Sequence, residues 1–141
     1  MCERYSWIEK DGAVLFLTPY DVYETKRGKE LQAYSRQSED YVGHGAIRFY
    51  FDLSSNSGVE KECIDFSTPD NFPPDLVRAI KAGKMWDFGI VGEMRVMLTD
   101  KAQAEYDKVR VETWAEYDKA CTEVWAIIWT NPANRISVWR G

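Results

Sequence analysis

The five residues AEYDK occur twice, at 104–108 and at 115–119, and each copy runs on to a tryptophan, Trp114 and Trp125. An α-helix advances about 100° per residue, so eleven residues complete three turns with only about 20° left over. Positions eleven apart therefore stack almost in line: Trp114 with Trp125, Tyr106 with Tyr117, Ala104 with Ala115. The resulting wheel has an apolar arc holding Tyr106, Val111, Trp114, Ala115, Tyr117, Cys121, Val124, Trp125, Ile128 and Trp129. The opposite arc carries Glu105, Lys108, Glu112, Glu116, Lys119 and Glu123. Such a pattern predicts one amphipathic helix over about 100–129, with a dry side and a wet side. Thr99 or Asp100 can cap its start, and Asn131-Pro132 stops it, because the residue before a proline is pushed out of the helical region.

Two readings of that dry side compete. In one it packs on the protein's own sheet. In the other it is too long for a small domain, and Tyr106, Trp114, Tyr117, Trp125 and Trp129 meet a protein partner or a second copy of the chain.

Ahead of the repeat the chain reads as mixed. Residues 6–10 and 13–17 flank Asp11-Gly12, a pair suited to the positive φ angles of a type I′ hairpin turn. Thr18-Pro19 has the look of an N-cap and first helical position, opening a short helix to about Arg27 that Gly28 ends. Residues 29–42 are polar and ambiguous, with 30–34 open to a strand. Over 46–53, Ile47, Phe49, Phe51 and Leu53 alternate with Arg48, Tyr50 and Asp52, which predicts a strand. A second strand over 59–66 would pair with it across the small polar loop 54–58. A helix then follows from about residue 75 with Leu76, Val77 and Ile80 on one face and Gly83 just past its end. Residues 89–98 are read as a strand around Gly89 and Gly92, and 136–139 as a tail docking on the body.

These elements predict an α+β fold: a small antiparallel sheet with short helices and one long C-terminal helix packed on it. The chain is 141 residues, 45% apolar, enough for one domain. Its parts are a β-rich 1–98, the helix at 99–130 and a tail at 131–141.

Charge narrows the function classes. The formal net charge is −5, with both signs interspersed and no basic run, which argues against nucleic-acid binding and against a polybasic membrane contact. No apolar run approaches a membrane span, and Met1 to Tyr5 lacks the apolar centre of a signal peptide. Cys2, Cys63 and Cys121 are odd in number and far apart, so neither a disulfide framework nor a zinc site is expected, and the expected compartment is the cytoplasm.

Candidate chemistry is sparse. His44, the single histidine, stands between Gly43 and Gly45; a general-base role there would need partners that spacing does not supply. No nucleophile elbow, HExxH, phosphate loop or calcium loop is present, so no metal or cofactor is expected. Arg48 and Tyr50 would project together from one face of the 46–53 strand. With His44 and Lys61 they are the candidate pocket for a small anion or nucleotide.

The units 104–109 and 115–120, closing toward Asn131-Pro132-Ala133-Asn134-Arg135, resemble the eleven-residue AxAEYxK repeats of uncharacterised phage and bacterial proteins. In those proteins the repeats follow a small β-rich part, which residues 66–80 resemble in turn. The resemblance spans about half the chain, and only two clean units stand here. It implies a phage-type accessory protein and transfers no site residue. Three functions stay open: a non-enzymatic interaction protein, such as a host-defence inhibitor, acting by protein binding or self-association; a sequestering protein for small nucleotides or anions; and a His44-dependent hydrolase or transferase.

Overall fold

Asp11 and Gly12 take φ of 51° and 80°, and the two-residue turn they form joins β1 (Tyr5–Lys10) to β2 (Ala13–Leu15) with Lys10 opposite Ala13. The computed structural model describes residues 5–34, 41, 43–88, 94–112 and 117–140; the side chains at 87, 109–112 and 117–121 lie outside that description. It divides into two compact units, one of residues 1–64 with 73–76, the other of residues 65–72 with 77–141. Residues 65–72 and 77–98 thus belong with the C-terminal helices and not with the sheet.

In the first unit β3 (Val59–Cys63) joins the sheet, which is antiparallel in the order β2-β1-β3. The register sets Trp7 opposite Lys61 and Ile8 opposite Glu60. The central strand is buried from Tyr5 to Ile8, whereas Val59 to Glu62 on the edge are exposed, so the edge strand reads charged and the centre apolar. Burial raises the Tyr5 hydroxyl well above its ordinary pKa and keeps it neutral.

Thr18 caps α1 (Pro19–Glu24) through a reciprocal box, its hydroxyl accepting from the Asp21 amide while Asp21 accepts from the Thr18 amide at 2.9 Å. Gly28 does not end this helix. It lies inside α2 (Lys26–Tyr34), which Thr25 caps by accepting from the Gly28 amide at 2.9 Å. The polar stretch after Gly28, open to a strand on sequence, is helical because α2 packs on α1: Gln32 donates to the Val22 carbonyl, and Leu31 is buried.

The expected strand over 46–53 is also a helix, α3 (His44–Tyr50), with Ala46 and Ile47 buried. Strict alternation favours a strand, and here tertiary packing overrides that local preference: the helix buries Ala46 and Ile47. The helix closes in a double turn: Asp52 donates to Phe49 and Leu53 donates to Arg48, with Asp52 at φ 56°. This left-handed position favours glycine. Asp52→Gly is therefore expected to raise stability by about 0.5–1 kcal/mol, measured by urea denaturation. A strand interior would give the opposite sign, because glycine weakens strands.

α4 (Pro74–Lys81), whose residues from 77 on belong to the second unit, ends as its sequence indicates, with Gly83 at φ 73°, Gly83 donating to Ile80 and Lys84 to Ala79. Residues 95–97 form a 3-10 turn where a strand was expected, while 89–93 lie outside the described residues. Two helices follow, α5 (Asp100–Glu112) and α6 (Tyr117–Thr130).

The single rod over 100–129 does not form. Leu98 pairs antiparallel with Arg135; Thr99 donates to the Asn134 carbonyl at 2.7 Å and Ile136 to that of Met97 at 2.9 Å. On a straight helix residues 98 and 135 would stand about 55 Å apart, so α5 and α6 run antiparallel, side by side. The first repeat copy lies in α5 and the described part of the second in α6; residues 113–116, with Trp114, lie outside the described residues. Thr99 caps α5 and Asn131-Pro132 ends α6, as read.

The core of this unit is a chain of rings. Trp86 meets Trp125 edge-on, Trp125 stacks on Trp129 at 5.0 Å, and Trp129 meets Trp139 edge-on. Phe72 and Phe66 continue the series. The C-terminal tail docks through Trp139, fully buried, whose indole donates to the Phe66 carbonyl at 2.9 Å. Arg135 lies over the Trp129 ring and donates to its carbonyl. Arg95 grips Asp107 of the first repeat copy with two hydrogen bonds, tying the 3-10 turn to α5. Among the described residues no helix is long and apolar enough to cross a membrane.

Candidate functional site

The pocket expected at His44, Arg48, Tyr50 and Lys61 is in part assembled and largely spent. His44 and Arg48 are one helical turn apart on α3 and face β3. Arg48 donates to the Glu60 carboxylate at 2.8 Å and to the Ser54 and Ser57 carbonyls at 2.6 and 2.7 Å. His44 Nε2 donates to the Lys61 carbonyl at 2.8 Å, which turns Nδ1 toward Glu60, 3.8 Å away. Lys61 enters through its backbone. Tyr50 points elsewhere and donates to Thr25. Arg48 and Tyr50 do not share a face, because residues two positions apart on a helix diverge by about 200°. The cluster ties α3 to β3 and to the loop before it.

Its charge has a measurable consequence. The hydrogen bond from Arg48 holds Glu60 below its ordinary pKa against a smaller desolvation effect, with lesser help from the nearby charges of His44 and Arg48. A carboxylate lowered by folding stabilises above its unfolded pKa and loses that contribution as pH falls through the folded value. Glu60→Gln is expected to be less stable than wild type at neutral pH by roughly 0.2–1 kcal/mol, as for an exposed pair. The gap closes as pH falls below the ordinary glutamate range. Parallel denaturation curves at neutral and acid pH test this; a gap that persists in acid contradicts it.

The five residues proposed for partner contact fare differently. Tyr106, Trp125 and Trp129 are buried within the chain, at no more than 1% exposure, so these rings are core and present no face to a partner. Trp114 and the Tyr117 side chain lie outside the described residues.

What the second unit does present is aliphatic. A groove of about 470 Å³ opens on α5 and α6, lined by Glu105, Val124, Ile127, Ile128, Asn131 and Asn134. Val124, Ile127, Ile128 and Asn131 follow the i, i+3, i+4, i+7 spacing of one helical face. Trp125 and Trp129 occupy another face of the same helix and point into the core. Ile127 is 71% exposed. The rim is held in place: Asn131 accepts from the Ala133 amide at 3.1 Å, and Asn134 donates to the Ile128 carbonyl at 3.0 Å. Glu105 arrives from the antiparallel helix.

No family model matches the chain, and no curated protein or solved structure matches it. Among the described residues no cluster of three or more histidine, cysteine or acidic side chains is placed to hold a metal ion.

Ile127 stands outside the apolar arc of the helical wheel. Its signal is present in the run VWAIIW at 124–129, which carries no charge and is wider than a helix packed on one side requires. The contribution of Glu105 has no sequence signal, since it depends on the two helices lying antiparallel.

Proposed function

We propose that this protein acts by binding a protein partner and that the groove on α5 and α6 is the surface it uses. The observation that supports this is Ile127: a large aliphatic side chain, mostly in water, at the centre of an apolar helical face whose rim is fixed by hydrogen bonds. Burying such a side chain contributes about 1.5–3 kcal/mol, a useful anchor at the centre of an interface. The resemblance of the repeats to phage proteins suggests the setting of an accessory protein that blocks a host-defence component. Self-association through the same face is the other form of this reading.

Ile127→Asp tests both forms. The substitution is on the surface, so the melting temperature should stay within about 2 °C of wild type. Light scattering across a concentration series reads self-association, and quantitative enrichment from a host extract reads partners. The expected result is a self-assembly or a discrete set of bound proteins that the wild type has and the variant lacks. Identical masses and identical enrichment profiles for the two chains would overturn the reading.

A further inference from the structure

We infer that the groove on α5 and α6 takes a partner segment that sets a lysine or arginine side chain beside an aliphatic one. This rests on the reading of that groove as the partner surface and adds the chemistry of what enters it.

The lining divides into an aliphatic wall and a rim rich in acceptors. Val124, Ile127 and Ile128 form the wall. On the rim, the Asn131 side-chain oxygen and the Asn134 side-chain nitrogen are used within the chain. That leaves the Glu105 carboxylate and the Asn134 side-chain oxygen as acceptors, with the Asn131 amide nitrogen as a donor. Among the described residues Glu105 is the one ionisable side chain lining the groove. Lys101 and Lys108 stand on the same helix and do not line it. An ammonium or guanidinium on an aliphatic stem matches the wall and both acceptors, stem on the wall and charge at Glu105, and leaves the Asn131 amide to a backbone carbonyl of the partner segment. The formal net charge of −5 favours approach of a cationic segment over an acidic one. The open flank at Ile127 fits a side chain hanging from a backbone that passes over the groove, whereas a free small ligand has most of its surface enclosed.

Three probes of one chain length separate the possibilities: hexylammonium, hexanol and hexanoate, each titrated into the isotope-labelled full chain and followed by backbone amide shifts. All three should move the amides of Val124, Ile127, Ile128, Asn131 and Asn134, and hexylammonium should bind roughly fivefold tighter than hexanoate. Glu105→Gln should abolish that preference and keep hexanol binding, while Ile127→Ser should weaken all three. Equal binding of the three probes overturns the cationic assignment and leaves the groove as a partner surface. A preference that survives Glu105→Gln also overturns it, since the charge is then read elsewhere. Absence of shifts with every probe removes the groove itself and the reading beneath this one.

Discussion

Trp125→Ala is expected to lower the unfolding free energy by about 3–5 kcal/mol, the usual loss for deleting a fully buried tryptophan. Its indole is 0% exposed, stacked on Trp129 and edge-on to Trp86. Truncation would leave a cavity in the middle of the ring series that docks the tail and holds α6. The fall should be visible by far-UV circular dichroism as a drop of at least about 10 °C in melting temperature, with no change in solution mass. A second substitution sharpens the point. Among the described residues the Trp125 N–H has no acceptor, so Trp125→Phe removes an unsatisfied buried donor along with some packing. Trp139→Phe instead removes a hydrogen bond to Phe66 and should cost about 1 kcal/mol more than Trp125→Phe. Were Trp125 an interface residue, Trp125→Ala would leave stability unchanged and alter the mass.

The second large effect is at Gly28. A Cβ there would lie 2.0 Å from the Asp21 carbonyl oxygen and 2.3 Å from that of Val22. Those are backbone atoms of the neighbouring helix, and they cannot rotate aside. Gly28→Ala is expected to destabilise by about 3 kcal/mol or more, although alanine in an open helix interior would contribute about 1 kcal/mol in the other direction. Steric overlap with fixed carbonyls outweighs propensity here, because α1 and α2 must separate to admit one methyl group. Urea denaturation followed by circular dichroism gives the sign. A variant equal to or more stable than wild type would mean that the two helices do not approach as described.

Both effects depend on non-local contacts, and that explains what could and could not be seen in the residues. The hairpin at Asp11-Gly12, the Thr18 cap, the turn at Gly83 and the stop at Asn131-Pro132 were legible because each is decided within four or five residues by φ preference or a missing donor. The 46–53 segment departs from its sequence reading because its alternation is a local strand preference that tertiary packing overrides. What settles it is Ile47 in the core and Arg48 reaching Glu60. Gly28 reads as a terminator in the sequence because glycine ends many helices; its actual use, close approach, depends on α1. The eleven-residue repeat correctly marked helical sequence and a buried Tyr106. It carried no information on whether the copies lie in line or on two antiparallel helices, since the Leu98–Arg135 pairing sits outside it. The candidate site divides the same way. The face at Val124, Ile127, Ile128 and Asn131 is written in the spacing, whereas Glu105 joins it only after the chain has folded back.

That folding back underlies the core, the groove and the proposed partner chemistry, and one distance tests it. Spin labels at the exposed positions Lys101 and Thr130, with Cys2, Cys63 and Cys121 replaced by serine, can be measured by double electron–electron resonance. Antiparallel α5 and α6 predict a single short separation, below about 25 Å with label arms included, since helices in contact lie about 8–10 Å apart. A distribution centred near 43 Å, the span of an unbroken helix between those two residues, would contradict the account.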